Sequence, residues 1–120
     1  MTKLEEYYSK QPEPVQGSLL ALKHIIMSVD KEITHTRVFQ IPFFLYKGWR
    51  LAFLQVYGKK IMFSIVIDRC LQPATKGHKR RDGMGATFML DSNKDLPIDD
   101  ILRSLREQIA CYDKVGVKVE

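Results

Sequence analysis

The sequence has few of the features that mark secreted, membrane-bound or disulfide-held proteins. Only two cysteines occur, Cys70 and Cys111, and neither belongs to a CxxC or Cys/His spacing. No apolar run approaches the ~18 residues that span a bilayer. The chain also lacks a charged start followed by an apolar run and a cleavage site. We therefore expect a cytoplasmic protein with reduced thiols, no disulfide framework and no membrane segment.

The sequence also lacks a set of residues that would support one another in catalysis or metal binding. His24, His35 and His78 are far apart, and none lies three or four residues from another ligand on a predicted helix face. Arg69 could activate the neighbouring Cys70 thiol, but an inactive cysteine is the commoner case. We expect no catalytic residue, no metal ligand and no cofactor, so an enzyme is not predicted.

The composition is that of one folded domain. Of the 120 residues, 45% are hydrophobic and 28% are charged, which favours a folded chain over a disordered one. The length suffices for one hydrophobic core but not for two. Nineteen Lys and Arg against fourteen Asp and Glu give a net charge of +5. This charge would attract polyanions weakly, and solubility explains it equally well.

Aromatic and β-branched residues are concentrated in one stretch, residues 38–67. Two turn sequences, Tyr46-Lys47-Gly48-Trp49 and Tyr57-Gly58-Lys59-Lys60, divide it into apolar runs of strand length. With further strands expected at 33–39 and 85–90, the pattern predicts an antiparallel sheet of about four to five strands. Because the central strands are apolar on both sides, both sheet faces should be at least partly covered. Helices would cover one face, and a loop, a partner subunit or a ligand would cover the other.

Three amphipathic segments predict helices that flank this sheet. The start Thr2-Lys3-Leu4-Glu5 has the spacing of a capping box, and Pro14 suits the first position of a second helix. Pro97 opens the last helix, whose first turn carries two aspartates that favour the helix dipole. The elements predict a single α+β domain over residues 1–120, in which 113–120 form either a tail or a short edge strand.

Five aromatic residues of the central stretch are candidates for a binding site. A pocket between the sheet and the long connection 68–82 would suit a small apolar or mixed ligand. We interpret the protein as a non-catalytic binding or chaperone-like module whose partner is an unknown small ligand or protein, with a homodimer as an open alternative. The candidate residues are Phe43, Tyr46, Trp49, Phe53 and Tyr57.

The connection 68–82 provides an alternative function. Structureless loops longer than about 12 to 15 residues are uncommon in compact domains unless they are functional or mobile. Its basic residues could bind anions or, together with aromatic residues of the sheet, single-stranded nucleic acid. The phosphate-binding pattern GxxxxGK[ST] is absent, so this alternative is not favoured. The candidate anion-binding residues are Lys76, Lys79, Arg80 and Arg81.

Four stretches also carry a family resemblance: YYSKQPEPVQGSLLALKHII, IPFFLYKGWRLAFLQVYGKKIMFSIV, GATFML and LPIDDILRSLREQI. On these residues the chain resembles the YdhG-like family of small bacterial domains of unknown function, over residues 4–112. The resemblance implies an α+β fold with an antiparallel sheet packed by amino- and carboxy-terminal helices. Some members are described as frataxin-like iron chaperones, a role that requires clustered oxygen ligands. The first helices here carry only Glu5, Glu6 and Glu13, so iron binding is a second alternative without named ligands.

Overall fold

The computed structural model describes residues 2–71 and 81–118. Over these residues it contains three helices and a five-stranded antiparallel sheet, which confirms the predicted α+β class. A short 3-10 turn, Arg69–Leu71, follows the fourth strand. The helices are α1 (Lys3–Ser9), α2 (Val15–Val29) and α3 (Ile98–Val115), and the strands are β1 (Ile33–Val38), β2 (Ile41–Tyr46), β3 (Trp49–Tyr57), β4 (Lys60–Ile67) and β5 (Gly83–Asp91).

The helices begin at the predicted positions or one residue after them. At α1 the Thr2 hydroxyl accepts the Glu5 N–H, and the Glu5 side chain accepts the Thr2 N–H, so the capping box is confirmed. Pro14 and Pro97 directly precede α2 and α3. Each long helix buries its apolar stripe against the sheet. The stripe consists of Val15, Leu19, Leu22 and Ile26 in α2 and of Ile101, Leu105, Ile109 and Tyr112 in α3.

The strands form a simple meander in the order β1-β2-β3-β4-β5. Both predicted turns are present, and Gly48 and Gly58 provide the positive φ angles, 87° and 61°, that tight hairpins require. The pairing of β2 with β3 shifts between Phe44 and Leu45. At this bulge Leu51 and Ala52, although adjacent in the chain, both belong to the same buried cluster.

All three helices pack against one face of the sheet. The core cluster on that face joins residues of α2 and α3 to alternate strand residues such as Phe44, Leu54 and Phe63. The opposite face, which we call the outer face, carries the other set of strand residues. Cross-strand pairing aligns these outer-face residues, which are Phe43, Phe53, Gln55, Met62, Ser64, Val66, Met84, Thr87 and Met89.

The residues that follow α3 pack against the β2–β3 hairpin. Helix α3 ends at Val115, and the irregular segment that follows forms no strand as far as residue 118. It is held because the Trp49 indole donates to the Gly116 carbonyl oxygen at 2.7 Å, and the Lys118 N–H donates to the Lys47 carbonyl oxygen. None of the helices within the described residues is long and apolar enough to cross a membrane.

Candidate functional site

The sheet brings only some of the five candidate aromatic residues together. Phe43 and Phe53 meet on the outer face with ring centroids 5.4 Å apart. Tyr57 lies further along the same face of β3, where its half-exposed hydroxyl donates to Gln55.

Tyr46 and Trp49 lie on the helix side instead, in the core cluster. The Tyr46 hydroxyl donates to Asp113 at 2.6 Å, and the Trp49 ring stacks on Tyr112 at 5.3 Å. Tyr46 is three residues from Phe43 in one strand, and alternate residues of a strand point to opposite faces. The expected grouping of five aromatic residues in one pocket is therefore corrected to the outer-face residues alone.

A hollow of about 320 Å³ lies on the outer face. We call it the outer hollow. Its floor includes buried Phe43 and Val66, whereas Phe39 and Met84 at its rim are 73% and 56% exposed. A volume of this size lies at the lower end of the range for small-molecule pockets. The hollow is lined by Phe39, Ile41, Phe43, Phe53, Gln55, Val66, Asp82, Gly83 and Met84.

Phe39 reaches the rim through an unusual turn. Phe39 and Gln40 join β1 to β2, and their backbone φ angles are 52° and 64°. Two successive positive φ angles suit Asn-Gly, and residues with a Cβ adopt them at an energetic cost. The turn holds the Phe39 ring 6.2 Å from the Phe43 ring. No residue type signals this turn, since it contains no glycine, asparagine or proline, and the strand expected at 33–39 includes Phe39.

An ion pair lies beside the hollow. The Arg50 guanidinium donates through Nη1 to Oδ2 of Asp82, and each side chain is only 18% exposed. The other oxygen, Oδ1 of Asp82, accepts the Arg69 N–H at 2.7 Å. The guanidinium carbon lies 5.5 Å and 5.9 Å from the ring centroids of Phe39 and Phe43. Arg50 is thus a cation held against the aromatic wall of the hollow.

The backbone at Arg50 is fixed by a buried carboxylate. Asp68 is fully buried, and it accepts the Arg50 N–H, the Cys70 N–H and the Lys118 ammonium at 2.9 to 3.0 Å. Burial alone would raise the pKa of Asp68, but these three hydrogen bonds outweigh it and hold the pKa below its usual value. Because every one of these contacts is internal, the network is a structural support for the site.

His35 lies on the helix side of the sheet. Its ring stacks on Phe44 at 4.5 Å, and Nε2 lies 2.9 Å from the Tyr8 hydroxyl. Within residues 2–71 and 81–118 no three His, Cys, Asp or Glu side chains lie close enough to share a metal ion. The two cysteines are exposed and free.

The predicted anion-binding residues lie mainly outside the described part of the chain. Lys76, Lys79 and Arg80 belong to residues 72–80, which are not among the described residues. Arg81 is described, and it is exposed directly before Asp82. Anion binding by this set therefore stays a prediction.

Two larger depressions lie along α3, with volumes of about 500 and 610 Å³. Charged side chains, including Asp99 and Arg103 in both, line them together with apolar residues such as Leu102 and Leu96, none of which is fully buried. They lack the buried apolar floor of the outer hollow. The outer hollow is therefore the better candidate for a binding site.

Comparisons of the chain with protein-family models, with curated proteins and with solved structures find no match. The resemblance to the YdhG-like family therefore depends only on the sequence stretches quoted above.

Proposed function

We propose that the protein is a non-catalytic binding module that holds a small, mainly apolar molecule in the outer hollow. The observation that carries this proposal is the position of Phe39. Its ring is largely exposed to solvent at the rim of an apolar hollow, in a turn whose backbone conformation disfavours any residue with a side chain. Strained backbone of this kind costs on the order of 1 to 3 kcal/mol, and it is found preferentially at functional sites.

A ligand would offset this cost by covering apolar surface. Phe39 and Met84 lie on opposite walls of the hollow, one from the β1–β2 turn and one from β5. A molecule between them would remove both side chains from water while contacting the buried floor at Phe43 and Val66. Burying apolar area contributes about 25 cal/mol per Å², so a ligand of a few carbon atoms would gain affinity mainly from these contacts.

Three other accounts make different predictions. A second copy of the chain on the outer face would give a dimer in sedimentation at micromolar concentration. Polyanion binding by Arg81 and the basic residues before it would give an oligonucleotide affinity that falls steeply with salt. Iron binding, as the YdhG-like resemblance implies, would raise the melting temperature when iron is added. The proposed function predicts none of these effects and instead predicts binding of neutral apolar molecules.

The test is a calorimetric titration with 1-octanol, a neutral apolar probe. Met84→Glu places a charge in the hollow, and Met89→Glu is its matched control. Met89 is in the same strand, on the same face and 54% exposed, but it does not line the hollow. We expect Met84→Glu to weaken octanol binding about tenfold or more, the equivalent of ~1.4 kcal/mol, and Met89→Glu to leave it within about twofold. Equal effects of the two variants, or no binding by the unaltered chain, would refute the proposal.

A further inference from the structure

We infer that the molecule bound in the outer hollow carries a carboxylate, which pairs with the Arg50 guanidinium, so that the ligand class is an apolar acid. This inference depends on the proposed function, because it assigns the polar end of the same ligand. The observations that support it are the unused donors of Arg50, its aromatic neighbours and the arrangement of its ion pair with Asp82.

Arg50 has donors available for a ligand. Among residues 2–71 and 81–118, its guanidinium has a single acceptor, which is Asp82 at Nη1. The nitrogens Nε and Nη2 have no protein acceptor in those residues, and both still reach solvent although the side chain as a whole is only 18% exposed. These two nitrogens form one edge of the planar guanidinium, and a carboxylate can accept from both N–H groups of such an edge at once.

The surroundings of Arg50 favour an anion over a cation or a neutral group. The guanidinium carbon lies within 6 Å of the ring centroids of Phe39 and Phe43. Both rings line the outer hollow. The rings exclude water from part of the guanidinium, and a charge-assisted hydrogen bond is stronger where water is excluded. A ligand cation would instead meet a positive charge that already occupies these ring faces.

Asp82 positions the Arg50 guanidinium without occupying all of its hydrogen-bond donors. It uses one oxygen for Arg50 and the other for the Arg69 N–H. A ligand carboxylate at the Nε and Nη2 edge therefore does not need to displace it. The two carboxylates would, however, share one guanidinium, and their like charges would repel each other. The Asp82 charge should thus weaken acid binding even though the Asp82 side chain helps to position Arg50.

Because of this arrangement, removing the Arg50 charge and removing the Asp82 charge should change octanoate affinity in opposite directions. The titration compares octanoate with 1-octanol, which has the same chain length and no charge, at pH 7 and constant salt. In the unaltered chain we expect octanoate to bind about tenfold more tightly than octanol, a difference of ~1.4 kcal/mol. Arg50→Gln should abolish this preference, so that octanoate binds the variant no more tightly than octanol does. Asp82→Asn removes the competing charge and keeps a carbonyl oxygen that can accept a hydrogen bond, so it should increase octanoate affinity about threefold.

Several outcomes would overturn the inference. If the ion pair were purely structural, Arg50→Gln and Asp82→Asn would weaken octanoate binding to the same extent. Both substitutions would then also lower the unfolding midpoint. Equal affinities of octanoate and octanol in the unaltered chain would also contradict it, while octanol binding would still support the proposed function. Octylammonium gives a check that needs no variant, since the inference requires it to bind more weakly than octanol. If neither octanol nor octanoate binds, the proposed function fails first, and the inference fails with it.

Discussion

The Tyr112 hydroxyl lies 2.6 Å from the carbonyl oxygen of Arg50, and this contact bonds helix α3 to the residue whose guanidinium lies beside the outer hollow. The same hydroxyl lies 2.9 Å from the Val66 carbonyl oxygen and accepts the Asp68 N–H at 3.0 Å. Burial raises the pKa of Tyr112 to about 12, so the hydroxyl keeps its proton throughout the physiological range. A residue of α3, on the helix side of the sheet, therefore fixes the backbone of Arg50, whose guanidinium lies beside the outer hollow.

Tyr112→Phe should destabilise the protein. The substitution keeps the ring that stacks on Trp49 but leaves buried backbone groups of Arg50, Val66 and Asp68 without their partner. An unsatisfied buried polar group costs roughly 1 to 3 kcal/mol, and urea unfolding should show a loss of that size. Tyr57→Phe is the control, because it removes a half-exposed hydroxyl and should change stability by less than about 0.5 kcal/mol. Similar losses for both variants would argue against the buried network.

Lys118→Met should weaken the fold and alter its response to acid. The Lys118 ammonium is one of three donors that lower the pKa of buried Asp68. A carboxyl group whose pKa is lowered by folding stabilises the protein at pH values above the pKa that the same group has in the unfolded chain. That stability is lost as the pH falls through the lower pKa of the group in the folded protein.

Without Lys118, less of this stability should exist at pH 7, and we expect a loss of roughly 1 to 3 kcal/mol in urea unfolding. The loss should shrink as the pH falls below the ordinary aspartate range. Lys114→Met, an exposed lysine in the last turn of α3, is the control. A loss that did not depend on pH would show that Lys118 acts through packing alone.

His35 should make the protein less stable in mild acid. Burial lowers the pKa of His35 from 6.5 to about 4, and the nearby Lys23 ammonium acts in the same direction. Between these two pH values the unfolded chain takes up a proton that the folded protein does not, so stability falls as the pH decreases from 6.5 to about 4. Because the ring is only partly buried and solvent screens its charge, we expect a loss of roughly 1 to 2 kcal/mol.

His35→Gln retains a side chain that can hydrogen-bond to Tyr8, and it should remove most of this slope in unfolding measured across the same pH interval. His24→Gln, at an exposed position of α2, should leave the slope unchanged. If His35→Gln and the unaltered chain had the same slope, His35 would not be the group that takes up the proton.

Replacing the Phe39-Gln40 turn should raise the stability of the protein and weaken its ligand binding. The double substitution Phe39→Asn with Gln40→Gly introduces the residue pair that tolerates two successive positive φ angles, so it relieves the strained backbone. We expect unfolding stability to rise by about 1 kcal/mol and octanol affinity to fall about fivefold or more, because one wall of the hollow is lost.

Lys47→Asn is the matched control for this turn. Lys47 has a φ of 49° in the β2–β3 hairpin, and its replacement should not change octanol binding. A turn variant that gained stability and still bound octanol with unchanged affinity would show that Phe39 has no role in the site.

Much of the fold follows from local signals in the sequence. The capping box at Thr2, the prolines before α2 and α3, and the glycines at positions 48 and 58 each act within a few residues of themselves. Their effects do not depend on the rest of the chain, so the elements they begin or connect were predicted correctly.

The site was less predictable because it depends on which face each strand residue occupies. The bulge at Leu51 and the turn at Phe39 both alter the alternation of side chains, and neither carries a glycine or asparagine that would reveal it. Without the bulge Trp49 would share a face with Phe53, although its ring in fact stacks on Tyr112 of α3. Tyr46 lies three residues from Phe43 in β2, so alternation alone already separates these two side chains. Arg50 and Asp82 are 32 residues apart, and only the folded sheet brings them together.

The most direct test of the central claim is a titration with 1-octanol followed by methyl NMR of the methionines. Met84 lines the outer hollow, Met89 and Met62 lie further along the outer face, and Met27 packs on the helix side. We predict that the Met84 methyl resonance shifts most and saturates, that Met89 and Met62 shift less, and that Met27 does not move. Saturable shifts at Met27 with none at Met84, or no saturable shift at any methionine, would contradict the assignment of the outer hollow as the binding site.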